Sequence, residues 1–186
     1  MTESLLRHWL RKAKRGNERA FKALVEATRE RLFWPVRRMV GTDEDAEEIL
    51  QEAYMALWRE SGKRLPDRPD AWLYRSCINR AIDRCRRMET TRVNLEKVAR
   101  QLESRRAARR DALGVVKKGE VEEVLAQSLD LLGTRERAVF ILRALEEWPF
   151  SRIAELMAIS DSTARNQFMH ARRKVADVFR SRGLEL

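Results

Sequence analysis

The chain has 186 residues, enough for one medium domain or two small ones, and 44% of them are hydrophobic, enough to build cores. A net charge of +10, 37% charged residues and only seven glycines favour an all-helical protein with a polyanionic partner, since Lys and Arg that displace counterions from phosphates supply most non-specific nucleic-acid affinity. A basic surface that binds nothing is the plainer alternative, whereas membrane insertion is disfavoured because no long uncharged apolar run is present.

The N-terminal stretch MTESLLRHWLRKAKRG has no apolar core long enough for a signal peptide, so the chain is expected in the cytoplasm with reduced thiols. From Glu18 to Val40, apolar residues at Phe21, Leu24, Val25, Leu32, Val36, Met39 and Val40 follow three- and four-residue steps, predicting a helix that buries one face. Pro35 lies inside this run and is expected to kink or interrupt it. Gly41-Thr42 ends it, and Thr42 is placed to cap a helix running to about Trp58, with Ala46, Ile49, Leu50, Ala53, Tyr54, Leu57 and Trp58 inward. SGKRLPDRPD reads as a loop. A third strong helix starts near Asp70 and carries Trp72, Leu73, Ile78, Ala81 and Ile82. Together these make a first all-α domain over residues 1–87.

Residues 86 to 118 hold eleven Lys or Arg against four acids, with sparse apolar residues. Residues 88–119 therefore read as a flexible basic linker, in part helical. Periodicity resumes at Val121, Val124, Leu125, Leu129 and Leu132, and predicts a second helical domain over 120–186 with room for four short helices. Cys77 and Cys85, eight residues apart, would lie about 12 Å apart on a straight helix, too far to bridge. With no Cys-x-x-Cys and no histidine cluster, neither a metal nor another cofactor is expected. No glycine-rich phosphate loop or Ser/His/Asp arrangement suggests catalysis either.

Three segments carry binding chemistry. DEDAEEILQE places six acids and no base in a strongly basic chain. Early-turn acids complement the helix dipole, which accounts for Asp43 to Asp45 but less well for Glu48 and Glu52. With Ile49 and Leu50 buried, Glu48, Gln51 and Glu52 share the outward side, and such a face suits a protein with a basic surface rather than DNA. AWLYRSCINRAIDRCRR collects Arg75, Asn79, Arg80, Asp83, Arg84, Arg86 and Arg87 on its outward positions, a pattern suited to an unpaired strand or to a merely solvated face. Trp72 reads as core. IAELMAISDSTARNQFMHARRK has the rhythm of a helix-turn-helix, with Ser160 or Asp161 capping the second helix. Ser162, Thr163, Arg165, Asn166, Gln167, Met169 and His170 are spread around the exposed side of that helix. Asn, Gln and Arg suit base edges, and Arg172, Arg173 and Lys174 suit phosphates.

On these segments the sequence resembles the extracytoplasmic-function (ECF) sigma factors, the smallest members of the sigma-70 family. GNERAFKALVEATRERLF looks like the start of their region two, and DAEEILQEAYMALWRE is similar to their acidic-DAE-x-(I/L)-x-Q-E-aromatic signature. AWLYRSCINRAIDRCRR is similar to their Trp-Leu…Asn…Asp…Arg segment, and LGTRERAVF through HARRKV looks like region four. The resemblance implies that core RNA polymerase and promoter DNA are partners in a bacterial cytoplasm. It would set Asp45, Glu48, Gln51 and Glu52 against the β′ clamp helices. The loop 61 to 69 with Lys63 and Arg64, and the helix with Arg75, Asn79, Arg80, Asp83, Arg84 and Arg87, would capture the unwound −10 element. Residues 88–119 would thread toward the RNA exit path. Region four would contact the β flap and read the −35 element through Ser162, Thr163, Arg165, Asn166, Gln167, His170, Arg172 and Arg173. An anti-sigma factor is a further implied partner. The sequence departs from the family at Ser162-Thr163-Ala164-Arg165-Asn166, at His170 where arginine is common, at Cys77 where alanine is common, and at Pro35. A stand-alone helix-turn-helix regulator is the alternative; it would not need the acidic face.

Overall fold

The computed structural model describes residues 3–60, 65–103 and 120–184. Helix α1 (Glu3–Lys14), α2 (Glu18–Val40), α3 (Asp43–Glu60) and α4 (Pro69–Glu103) form the N-terminal unit. Helix α5 (Glu120–Asp130), α6 (Thr134–Phe140), α7 (Phe150–Met157) and α8 (Asp161–Ser181) form the C-terminal one, with a π-helical turn at Ile141–Leu145 between α6 and α7. Among the described residues there is no strand, as the all-α reading required.

Local chemistry sets the helix ends. The Asn17 side chain accepts from Ala20 N at 3.0 Å to cap α2, and Gly41 closes it in the left-handed region at φ 90°, where a side chain would be strained. Thr42 caps α3 as expected: its Oγ1 accepts from Asp45 N at 3.2 Å and donates to Asp45 Oδ2 at 2.8 Å. Pro35 does not interrupt α2, which continues to Val40 with the ring buried. The carbonyl that Pro35 leaves without an intrahelical donor is that of Arg31, and the Tyr74 hydroxyl donates to it at 3.1 Å. A residue on α4 thus replaces the lost hydrogen bond.

Leu6, Leu10, Leu24, Leu32, Met39, Leu50, Leu57, Leu73 and Ile78 are fully buried in the N-terminal core. Thr28, the buried polar group there, bonds to Leu24 O and to the Tyr54 hydroxyl, each at 2.8 Å. The C-terminal core is built on Phe140, Ile141, Leu142, Ile153, Ala164, Ala171 and Val175. Trp58 and Val121, read as inward, are 39% and 50% exposed; Trp58 instead packs its edge on Phe21, with ring centroids 4.9 Å apart.

The two units are not held apart. Their buried residues form one continuous apolar cluster, and α4 packs on α6 and α7. Helix α4 runs through Glu103, beyond the domain end expected near Arg87 and into the segment read as a linker in part helical; residues 104–119, the rest of that segment, lie outside the described residues.

Candidate nucleic-acid interfaces

The acidic edge of α3 and the basic edge of α4 face each other. Arg84 Nε donates to Asp45 Oδ1 at 2.9 Å, and its guanidinium also pairs with Glu48. Arg80 Nε lies 3.3 Å from Glu52 Oε2. The hydrogen bond to Asp45 pushes Arg84 above its ordinary pKa, against a smaller opposing cost of burial. Glu48, Gln51 and Glu52 are exposed, as the sequence predicts, whereas Asp45 is half-buried under Arg84. Asn79, Asp83 and Arg87 are exposed, and Arg87 Nε donates to Asp83 O at 3.3 Å. Arg75 is turned toward the other unit, where its Nη2 donates to Glu155 O at 2.9 Å. Lys63 and Arg64 lie outside the described residues.

The helix-turn-helix consists of α7, a turn and α8. Ala158 takes the left-handed conformation at φ 52°, ψ 49° to reverse the chain, and Ser160 caps α8 by accepting from Thr163 N at 3.0 Å. The hydroxyls of Ser162 and Thr163 also bond to Ser160 Oγ, at 2.8 and 2.7 Å, so both help to order the turn. Arg165 reaches Asp161 at 3.2 Å and lies over the Phe150 ring at 4.7 Å. Asn166, His170, Arg172 and Arg173 are exposed on one continuous helix, and Lys174 pairs with Glu136 at 2.7 Å. Gln167 departs from its predicted exposure: it is half-buried, and its Oε1 is buried without a partner.

Sequence reasoning missed two features. One is an apolar groove of about 490 Å³ between α2 and α3, lined by Phe21, Val25, Leu50, Tyr54, Met55 and Trp58. Its signal was Met55 and Trp58 three residues apart, beside the buried stripe. The other is a set of residues joining the two units. Tyr74 and Trp148 meet edge to face at 4.6 Å, Arg152 lies over Trp148 at 3.6 Å, Arg38 pairs with Glu146 at 3.0 Å, and Arg137 Nη1 donates to Met39 O at 2.9 Å. Burial raises the Glu146 pKa despite Arg38, and pushes both Tyr74 and Cys77 up to about 12. Among the described residues, no helix is long and apolar enough to cross a membrane.

Comparison with known proteins adds to this geometry. The family model for sigma-70 region 2 matches residues 24–91, and that for sigma-70 region 4 matches residues 122–175. The chain is similar to the ECF RNA polymerase sigma factor SigW of Bacillus subtilis, at 24% identity over 176 residues, covering 91% of this chain and 94% of SigW. It is also similar to the ECF RNA polymerase sigma factor SigK of a Mycobacterium species, at 32% identity over 130 residues, covering 69% of this chain and 60% of SigK. Among solved structures it is similar in fold to CnrH in complex with the cytosolic domain of CnrY, with a TM-score of 0.67 and 22% identity, covering 95% of this chain and 98% of CnrH.

Proposed function

The chain belongs to the sigma-70 family, in its extracytoplasmic-function group, and on that premise we propose that it binds core RNA polymerase and directs promoter-specific initiation in a bacterial cytoplasm. The observation that carries this reading is the exposed acidic edge of α3 in a chain of net charge +10, adjoining the α4 edge of Asn79 and Arg84. An acidic face repels DNA and suits a basic protein surface, so a regulator acting alone on duplex DNA has no use for it. Asp45, Glu48, Gln51 and Glu52 dock on the β′ clamp helices. Lys63 and Arg64 in the loop, with Arg75, Asn79, Arg80, Asp83, Arg84 and Arg87 on α4, take the unwound −10 strand. At the other end, Arg165 and Asn166 on α8 read −35 base edges, Arg172 and Arg173 hold phosphates, Ser162 and Thr163 order the start of the helix, and Gln167 and His170 complete the face. The C-terminal unit also touches the β flap. Residues 104–119 leave 17 Cα steps from Glu103 to Glu120, a reach of about 60 Å fully extended, so one chain can serve two separated DNA elements. The sigma factor RpoE of Bartonella quintana, similar in fold at a TM-score of 0.54, was solved with the anti-sigma factor NepR, and an anti-sigma factor is proposed for this chain in the same way.

Titration of fluorescent chain with purified core RNA polymerase tests the docking. The wild type binds, the double charge reversal Glu48→Lys with Glu52→Lys does not, and Asn166→Ala binds like the wild type. Equal binding by the charge-reversed chain would contradict the reading.

A further inference from the structure

We infer that Phe150 is a positioning residue for base reading by Arg165: its ring, at the start of α7, seats the Arg165 guanidinium of α8 and fixes the base edge that the arginine meets. The inference rests on the −35 assignment above and adds the group that sets Arg165 apart from the other arginines of α8.

Helix α8 carries arginines at 165, 172, 173 and 180. Among the described residues, Arg165 is the one of these four that lies over an aromatic ring, with its guanidinium carbon 4.7 Å from the Phe150 centroid. At that distance the negative face of the ring attracts the cation. Asp161, one turn earlier on α8, accepts from Arg165 Nη2 at 3.2 Å. Two contacts from two helices thus give the side chain a direction. It is still 60% exposed, and a guanidinium has five N–H donors, so donors remain for the O6 and N7 acceptors of a guanine. A base edge needs such a fixed fork, whereas a phosphate contact positions without specifying and tolerates the unseated side chains of Arg172 and Arg173.

The platform stands ready before any ligand arrives. Phe150 is the first residue of α7, directly after Pro149, whose carbonyl accepts from Arg152 N at 3.1 Å and Ile153 N at 3.2 Å. On the other side, Trp148 N donates to Leu142 O at 2.9 Å, so the backbone is tied down before and after the ring. The ring meets Phe168 edge to face at 5.6 Å, and Phe168 stacks on the buried Phe140 at 6.0 Å. An aromatic ladder therefore runs from the C-terminal core out to the guanidinium. Arg143, from the π-helical turn, lies over the same ring at 5.2 Å while its Nη1 donates to Trp148 O at 3.3 Å. Positive charge is gathered in this way at the N-terminal end of the second helix, the end that meets base edges in a helix-turn-helix. An arginine already seated loses less rotamer freedom on binding. The ring consequently acts on the preferred site and leaves the general attraction for phosphates unchanged.

The test uses the full chain with two probes: a duplex selected by the wild type from a randomised pool, and a random duplex of equal length. Phe150→Leu and Phe150→Met keep an apolar side chain against Phe168 and remove the ring, whereas Phe150→Tyr keeps it. Both aliphatic variants should bind the selected duplex about two- to fivefold more weakly than the wild type. Their random-duplex affinity and salt slope should not change, because no charge is altered. Phe150→Tyr should read like the wild type, and in an Arg165→Ala background loss of the ring should have no further effect. A second readout is the arginine Nε–Hε region of the nitrogen-15 spectrum, with the Arg165 signal identified by its loss in Arg165→Ala. The ring current shifts a proton over the ring upfield, so that signal should move downfield in the aliphatic variants and stay in Phe150→Tyr. Equal weakening of both duplexes, an equal effect with and without Arg165, or an unmoved Arg165 signal overturns the inference. If Arg165→Ala itself leaves the selected sequence unchanged, the −35 assignment of Arg165 fails and the inference falls with it, while the spectrum still reports whether the ring seats the arginine.

Discussion

Arg84 and Asp45 share a hydrogen bond of 2.9 Å that ties the basic edge of α4 to the acidic edge of α3. The two faces assigned to different partners, DNA and polymerase, therefore neutralise each other in part within one domain. Replacing Arg84→Ala should cost about 1 kcal/mol or less in stability, since the pairs with Asp45 and Glu48 are partly exposed. It should leave polymerase affinity equal or up to about threefold tighter, because the acids lose a competing cation. Anisotropy titration with core enzyme checks this; clearly weaker binding would mean that Arg84 itself touches the polymerase.

Tyr74 repairs the hydrogen-bond ladder that Pro35 breaks, and a double-mutant cycle isolates that role. Tyr74→Phe leaves the Arg31 carbonyl without its 3.1 Å donor and should cost about 1–2 kcal/mol in urea unfolding. In a Pro35→Ala background the backbone N–H can return to Arg31 O, so the same change should cost clearly less. Equal costs in the two backgrounds would show that the hydroxyl is not the compensating donor.

That pairing also shows where the sequence stopped being legible. The acids of α3, the Thr42 and Ser160 caps and the helix-turn-helix were readable because each is decided within a turn or two of its own chain. Pro35 was not: its consequence depends on a hydroxyl 39 positions away on another helix. Nor was the contact between the units, because a periodic stripe shows that Tyr74 and Trp148 are inward without showing that they meet. How far α4 continues past Arg87 was not legible for a different reason. Arg, Lys, Glu, Leu and Ala favour helix without needing a core, so sparse apolar residues do not end one. Trp58 was read as core because its spacing fits the buried stripe, although it lies on the rim of the α2–α3 groove.

Alkaline pH should weaken the fold in a defined window. Burial raises Tyr54 and Tyr74 from 10.0 to about 12, and Cys77 from 9.0 to about 12, so the folded chain keeps protons that the unfolded chain releases. Their contribution is complete below pH 9, declines as the unfolded chain ionises, and is lost as pH passes about 12. Urea midpoints measured from pH 8 upward should stay level and then fall, with a shallower fall for Tyr54→Phe. A flat profile to pH 12 would contradict the burial of these groups.

On α8, two classes of substitution should separate. Asn166→Ala, on the exposed face, should relax base preference at one or two positions of a selected duplex, at a cost of about 1–3 kcal/mol on the preferred site. Arg172→Ala or Arg173→Ala should weaken all duplexes alike and lower the salt slope by about one. Selection from a randomised duplex pool at two salt concentrations distinguishes them; if Asn166→Ala left the selected sequence unchanged, its role at a base edge would be wrong.

Multi-round run-off transcription from a fragmented genomic template, with purified core RNA polymerase and the wild-type chain, tests promoter-directed initiation itself. Discrete transcripts should appear with the chain, disappear with Glu48→Lys and Glu52→Lys together, and weaken with Asn79→Ala while polymerase binding is kept. The absence of any chain-dependent transcript, with polymerase binding unaffected by the charge reversal, would contradict assignment of the chain as a promoter-specificity subunit.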